Sequence, residues 1–507
     1  MMRFAITSLL ISSLMACANP ALREGAAGQS AVRRDAPSIT PDFSLSRIAA
    51  PALSQLQPAH PYSLPELIDL AQQANPLTRI AWLEAEQAAL ATGMVKATYL
   101  PLLSASAIGG YQHSKYRTRN ELDTVLGEID INTRSQTHAK GVVPALTLEW
   151  LLFDFGKRAA ISEASQELAL ASQIKFSAVH QAVIFNVTRT FFDYGASREN
   201  ARLSSAHLTN AQALSTAAQA RFAKGVATSI EVAQARQLAA QAKLVAVQTK
   251  GLERDSYQAL LSALGLPPTA ELQIADTQGR TLPRLEDLPD NALLQQALAY
   301  RPDLLAVDAA RRAAELGIQS AKANYMPKVA LFGIAASGNA DFDVRGVGSI
   351  SPHSSTQAVL LGVTMPLFDG GLRRMRLYEA QAQAEAAQEL VRKTQQDALQ
   401  EMRFAANTLR SALEAFTAAS ELVEAATLTF DAASEAYKVG VGNMMLATEA
   451  ANGLLDARQA KNLAYSGALV ASANLAFMMG QLNQAPDAQS VELGLPAAAG
   501  YEVSLSH

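Results

Sequence analysis

The sequence predicts a mainly α-helical protomer with a membrane β-barrel contribution, built from a strand-strand-long helix-helix unit present twice. Three observations point there. Short motifs recur in order at a nearly constant spacing, so the chain is duplicated. Proline is absent from 145 to 266 and again from 367 to 485, which suits long helices because an internal proline costs about 3 kcal/mol. Ahead of each such stretch, apolar residues alternate with period two, as in a strand with lipid on one face and water on the other.

Composition narrows the class. The chain has 507 residues, 49% of them apolar but only 6% aromatic and 17% charged, so its apolar content is carried by Ala, Leu and Val in close-packed helices. A net charge of -4 argues against nucleic acid as a partner, because phosphate binding draws on clustered Lys and Arg. Seven His and one Cys include no zinc-ligand spacing, and one thiol makes no disulfide within a chain. No Walker motif, nucleophile elbow, paired-His motif or dinucleotide fingerprint appears. Gly346-x-Gly348 lacks the third glycine and falls in a hairpin loop. We therefore assign no catalytic residue, no cofactor and no metal.

At the amino terminus, Arg3 precedes the apolar run Phe4 to Leu14, too short to span a bilayer but of signal-peptide length. Leu14-Met15-Ala16-Cys17 resembles a bacterial lipoprotein signal, with 1–16 removed and Cys17 lipidated; Ala18 favours outer-membrane delivery by the same resemblance. Acyl chains contribute about 0.8 kcal/mol per buried CH2, so more than one gives a stable anchor. Residues 17–61 are rich in Pro, Ala and Ser and read as an extended arm.

The two units follow as 62–266 and 290–481, joined by a linker at 267–289 and followed by a tail at 482–507. Asn75-Pro76 matches Arg301-Pro302 at an offset of 226, whereas Leu152-Phe153-Asp154 matches Leu367-Phe368-Asp369 and Leu264-Gly265 matches Met479-Gly480 at 215. One loop between Pro101 and Phe153 absorbs the change. Leu146, Leu148, Trp150 and Leu152 form the apolar face of one strand, and Leu361, Val363, Met365 and Leu367 that of its counterpart. Leu102 to Tyr111 and Val329 to Ala336 are the expected partners, within hairpins at about 100–153 and 327–368. Long helix pairs are expected at 156–265 and 371–480, with Asp154 and Asp369 as helix caps. Leu238, Val245, Leu252 and Ala259, with the small series from Ala235 to Ala263, mark a seven-residue seam. The chain reverses at Phe222 to Ala227 and at Tyr437 to Gly442. Four strands cannot close a barrel, and hydrocarbon tolerates no open edge. Closure therefore needs other copies: two give eight strands and three give twelve.

Over about 62–482 this plan resembles the TolC-type outer-membrane factors, the outer-membrane efflux protein family, and Cys17 makes it similar to the lipoprotein branch. The likeness rests on the doubled unit, the helix starts Leu-Phe-Asp-Phe-Gly and Leu-Phe-Asp-Gly-Gly, and the turns Arg221-Phe-Ala-Lys-Gly225 and Tyr437-Lys-Val-Gly440. It implies a homotrimer whose twelve-stranded barrel in the outer membrane continues into a helical periplasmic tunnel. Its partners would be outer-membrane lipid, a periplasmic adaptor (membrane fusion protein) and an inner-membrane pump, an antiporter or an ABC transporter. Phe222, Gly225, Val439 and Gly440 correspond to the adaptor-docking tips. Glu231, Tyr437, Leu446 and Glu449 correspond to the periplasmic aperture, with Tyr437 bonding to Glu231 across helices and Glu449 forming an acidic ring. Leu446 replaces one acidic ring position, and Gly442 stands where an arginine link is often found; an apolar constriction is the resulting expectation. The implied activity is passive export of small molecules. Type I protein secretion and a poreless periplasmic coiled-coil scaffold are the alternatives, and the strand hairpins argue against the scaffold.

Overall fold

The computed structural model describes residues 60–124, 127–344, 348–350 and 353–480. The signal segment 1–16, Cys17, most of the arm, Gly346 and the tail 482–507 lie outside the described residues. Elements follow in the order β1 (Pro61–Tyr62), α1 (Leu64–Ala74), α2 (Pro76–Ala97), β2 (Leu102–Thr124), β3 (Gly127–Phe153), α3 (Lys157–Ala223), α4 (Ser229–Leu264) and β4 (Gln273–Ile274). Then come α5 (Asn291–Ala297), α6 (Pro302–Ala323), β5 (Lys328–Val344), β6 (Gly348–Ile350), β7 (His353–Thr364), α7 (Leu372–Val439) and α8 (Met444–Met478). Helices α3 and α7 have 67 and 68 residues, each on the order of 100 Å long at ~1.5 Å per residue.

The described residues fall into two compact units, each drawing on both copies of the repeat. One holds Gln87–Ala169 and Ala309–Gln388, and the other holds 60–86, Leu170–Asp308 and 389–480.

In the first unit the strands form one antiparallel sheet in the order β2-β3-β5-β7, with β6 also on β5. Directly opposed residues share a face, so the register sorts the side chains. Leu148 stands opposite Leu103 and Gly333, Trp150 opposite Leu331, and Leu331 opposite Leu361. With Leu146, Ala105, Ala335, Val329, Val359 and Val363 this face is apolar across four strands. The other face pairs Thr147 with Ser104 and Ile334, and Glu149 with Leu102 and Phe332.

Two strand ends differ from expectation. β7 stops at Thr364, before Met365 and Leu367, because Pro366 has no N–H for the ladder. β2 continues past Tyr111 to Thr124; from Gln112 on the sequence is largely polar, so period-two hydrophobicity carried no signal there. At the sheet's base, Asp154 Oδ2 accepts from the Arg158 N–H at 3.0 Å, and Asp369 Oδ2 from the Arg373 N–H at 3.2 Å. Both aspartates cap their long helices, as expected. Phe155 has φ +53 in the left-handed region where the second copy uses Gly370, φ +65.

In the second unit the repeated Asn75-Pro76 and Leu264-Gly265 motifs meet. Gly265 ends α4 with φ +74, and a Cβ there would lie 2.7 Å from the Asn75 Cα. Asn75 donates its Nδ2 to the Ala263 carbonyl at 2.9 Å. The second copy repeats the joint: Gly480, φ +72, approaches the Tyr300 carbonyl, and Arg301 donates to the Met478 carbonyl at 3.4 Å. Leu64, Leu67 and Ala71 of α1 pack there with Leu260, Leu264 and Phe191. The 267–289 segment crosses α3 where Gly195 leaves room, since a Cβ on residue 195 would fall 2.0 Å from Thr277 Oγ1. Tyr465 then holds the segment through both backbone groups of Arg280, at 2.7 and 2.9 Å.

The seam on α4 is carried by the small series. Ala235, Ala242 and Ala263 are buried, as is Leu238, whereas Leu252 is 61% exposed and Ala259 is exposed. A straight helix of 3.6 residues per turn drifts off a seven-residue repeat, which carries the leucine series out of this protomer's interior.

Candidate functional site

Both long-helix reversals close with one backbone motif. In the first, the Val226 N–H donates to the Arg221 carbonyl at 3.0 Å and the Gly225 N–H to the Phe222 carbonyl at 2.9 Å. In the second, Val441 donates to Ala436 at 3.0 Å and Gly440 to Tyr437 at 3.2 Å. Gly225 and Gly440 have φ +73 and +91, the left-handed geometry that this helix end requires and that glycine adopts without cost. Gly442 is constrained differently: a Cβ there would lie 2.9 Å from the Tyr437 nitrogen. An arginine at 442 cannot sit in this turn unless its backbone moves.

The following helices start with side-chain caps. Thr228 accepts from the Glu231 N–H at 3.2 Å, and Glu231 Oε1 accepts from the Thr228 N–H at 3.3 Å. Asn443 Oδ1 accepts from the Leu446 N–H at 2.8 Å. Glu231 and Leu446 are thus the same position of the repeat, the third residue of each helix. This capping box also occupies the Glu231 carboxylate.

Tyr437 is fully buried with Leu214, Ala218, Leu238 and Met444. Its repeat partner Phe222 is 50% exposed. The resemblance implied a Tyr437 to Glu231 bond, but the Tyr437 hydroxyl meets no hydrogen-bond partner among the described residues. Burial pushes that hydroxyl's pKa up, the Glu231 carboxylate raises it further, and Arg221 opposes both. Arg221 donates its Nη1 to the Tyr437 carbonyl and stands 4.9 Å from the ring centre. Sequence reading gave this arginine no role. Its signal was the asymmetry between copies, Arg221 against Ala436.

The tips expose apolar side chains. Phe222, Val226 and Ile230 at one turn, and Val439, Val441 and Met445 at the other, all stand open to solvent. Glu449 and Leu446 lie on the exposed stripe of α8, three residues apart, opposite buried Ala447, Ala450 and Ala451. Among the described residues no group of three His, Cys, Asp or Glu side chains could hold a metal.

Known proteins share this architecture. The chain is 26% identical over 330 residues to the protein CyaE of Bordetella pertussis, a match spanning 65% of this chain and 65% of that one. It is 32% identical over 242 residues to a pyoverdine export outer membrane protein, OpmQ, of Pseudomonas putida, covering 46% and 47%. The matched parts therefore span about two thirds of the first relative and under half of the second. The crystal structure of the outer membrane protein VceC of Vibrio cholerae superposes with a TM-score of 0.66 at 20% identity, over 82% of this chain and 96% of that one, which shows a shared fold. The profile of the family described as outer membrane efflux protein matches residues 67–266 and 293–481, and with both copies of the repeat inside that match the chain belongs to the outer membrane efflux protein family.

Proposed function

We propose that three copies of this chain form the outer-membrane exit duct of a tripartite efflux system. The observation that carries it is the sheet β2-β3-β5-β7, apolar across all four strands on one face, whose edge strands β2 and β7 have no outer ladder partner among the described residues. A lipid-facing sheet with open edges must be closed by other strands, and three copies supply twelve, enough to leave a lumen. The mixed face that carries Ser104, Thr147 and Glu149 lines that lumen, and the exposed Leu252 of α4 is covered by a neighbouring copy. Cys17 carries the lipid anchor.

The tips read as the adaptor-docking end. Phe222, Gly225, Val439 and Gly440 present two apolar turns to a periplasmic adaptor, which couples the duct to an antiporter or an ABC transporter. Around the threefold axis, three Glu449 carboxylates form a ring that favours cations, next to an apolar ring of Leu446. Glu231 caps its helix beside this aperture, and Arg221 takes the part of the missing arginine link by tying two helix ends through Tyr437. The cargo is small molecules, in keeping with the pyoverdine export relative.

Two measurements test the reading. Purified protein in planar bilayers should give discrete channels and trimer-sized crosslinked species; absence of conductance would return the chain to a scaffold role. Deleting the gene should raise susceptibility to toxic small molecules with an unchanged secreted protein profile. The reverse pattern would assign it to type I secretion.

A further inference from the structure

Beyond its last apolar row the sheet brings together residues that are far apart in sequence. On the face of β3 that carries Leu148 and Trp150, the residues toward the hairpin turn are Val142, Lys140 and His138. Lys140 stands opposite Tyr111 on β2 and Asp341 on β5, and His138 stands opposite His113 on β2 and Asp343 on β5. Directly opposed residues share a face, so each row is a line of three residues across three adjacent strands. The inner row sets Lys140 against Asp341, opposite charges that offset one another. The outer row, His113-His138-Asp343, combines two imidazoles with one carboxylate.

Two of the chain's seven histidines therefore meet, although 25 positions separate them. Their Nδ1 atoms lie 3.2 Å apart, and their ring centres 4.3 Å apart at an interplanar angle of 33°. Two ring nitrogens at that distance either share one proton or stand ready as ligands of one ion. On a tetrahedral zinc with bonds of ~2.0–2.1 Å, two nitrogens are about 3.4 Å apart. The Tyr111 hydroxyl also lies 2.8 Å from His138 Nδ1. A neutral imidazole has a single acceptor nitrogen, so a metal would take that lone pair in place of the hydroxyl. Both histidines are exposed, and an ion reaches them directly from water. Among the described side chains no third His, Cys, Asp or Glu completes a ligand set. The backbone register supplies one, because Asp343 is a single strand spacing, about 4.8 Å, from His138.

We propose that His113, His138 and Asp343 form a binding site for a divalent cation of the zinc class, with water in the fourth position. The donor set fits such an ion: imidazole and carboxylate are both zinc ligands, and the single carboxylate offsets part of the metal's charge. Magnesium, which holds to oxygen ligands and keeps its waters, has little to gain from two imidazoles. The consequence is mechanical. Hairpin β2-β3 comes from the first copy of the repeat and β5 from the second, so one ion clips the two copies together across the β3-β5 ladder. Sequence spacing gives no sign of the site, because its three ligands come from three strands. The site lies within one chain and does not depend on how many copies assemble.

The test is isothermal titration calorimetry of zinc chloride into the full-length, chelator-treated protein in detergent, with magnesium chloride as the comparison. Saturable binding of one zinc per chain is expected, and none of magnesium. His113→Ala, His138→Ala and Asp343→Asn should each weaken zinc binding by more than about tenfold, the loss that removal of even an outer-shell partner causes. His60→Ala, at the separate pair of His60 with Glu66, should leave it unchanged. Absence of saturable zinc binding, or full affinity in any of the three ligand variants, would overturn the site. Cobalt added to the unmodified protein gives a readout independent of how any variant folds: intense visible bands of a tetrahedral ion are expected, and the weak spectrum of hydrated cobalt would overturn the site. Planar-bilayer conductance of the same preparation keeps this inference apart from the duct reading. Channels without zinc binding sink the site alone, whereas zinc binding without channels upholds the site and sinks the duct.

Discussion

Arg221 donates a hydrogen bond to the carbonyl oxygen of Tyr437 while its guanidinium covers that residue's ring at 4.9 Å. One side chain thereby ties the end of α3 to the end of α7, at the place where the chain twice reverses. The tie combines a charge-assisted hydrogen bond with a cation–π contact, which together amount to about 2–4 kcal/mol before discounting for partial exposure. Replacing Arg221 with Ala should loosen the aperture and raise single-channel conductance severalfold. Arg221→Lys should give an intermediate value, because an ammonium keeps the charge but lacks the planar fork. Unaltered conductance in Arg221→Ala would show that the tie does not hold the closed state.

The glycines of the second turn should respond differently. Gly440→Ala meets no close backbone atom and pays for its left-handed φ, about 1–2 kcal/mol. Gly442→Ala forces a Cβ to 2.9 Å from the Tyr437 nitrogen and must shift the turn, so its melting temperature should fall further. Larger residues at Gly225 and Gly440 should abolish export while trimers still form; a susceptibility assay beside crosslinking reads both.

Gly195 and Thr277 form a second tight contact. Gly195→Ala inserts a Cβ 2.0 Å from Thr277 Oγ1 and should cost about 1–3 kcal/mol by overpacking. Adding Thr277→Gly should recover part of that loss, giving a non-additive pair in thermal denaturation. Strict additivity would place the damage elsewhere.

Acid should weaken the helical unit through His207. Burial holds its pKa below the ordinary value, against Asp456 and Asn452, which raise it. The folded state therefore binds fewer protons than the unfolded chain as pH drops below the free-imidazole range, near 6.5. The stability is fully present above that range and is lost on acidification. The melting temperature should decline from pH 7 to pH 5, and His207→Asn should flatten that slope.

Glu449 faces solvent on α8, one turn from Leu446. Glu449→Ala should reduce cation selectivity and divalent-cation block in planar bilayers, and Leu446→Ser should widen the pore without changing selectivity. An unchanged reversal potential in Glu449→Ala would place the carboxylate outside the ion path.

Much of this was legible in the residues because it depends on local periodicity. Absence of proline, the two Leu-Phe-Asp helix starts and the aromatic-x-x-Gly reversals are short-range signals, and duplication made each readable twice. The site was legible only as positions. Phe222 and Tyr437 match in sequence, yet one is exposed and the other buried, because burial depends on which neighbouring helices arrive. Glu231 could be assigned a partner across helices by resemblance, but a capping box with Thr228, three residues away, satisfied its carboxylate first.

The doubled unit, the helix and strand types and the turn glycines follow from residues close together in the chain, because contacts within a few residues set them. The pairing of β3 with β5, which joins the two hairpins into one apolar face, and the reach of Arg221 to Tyr437 come from the folded chain. Both lie between segments about 200 residues apart, where neither periodicity nor propensity reaches and only packing selects the partner.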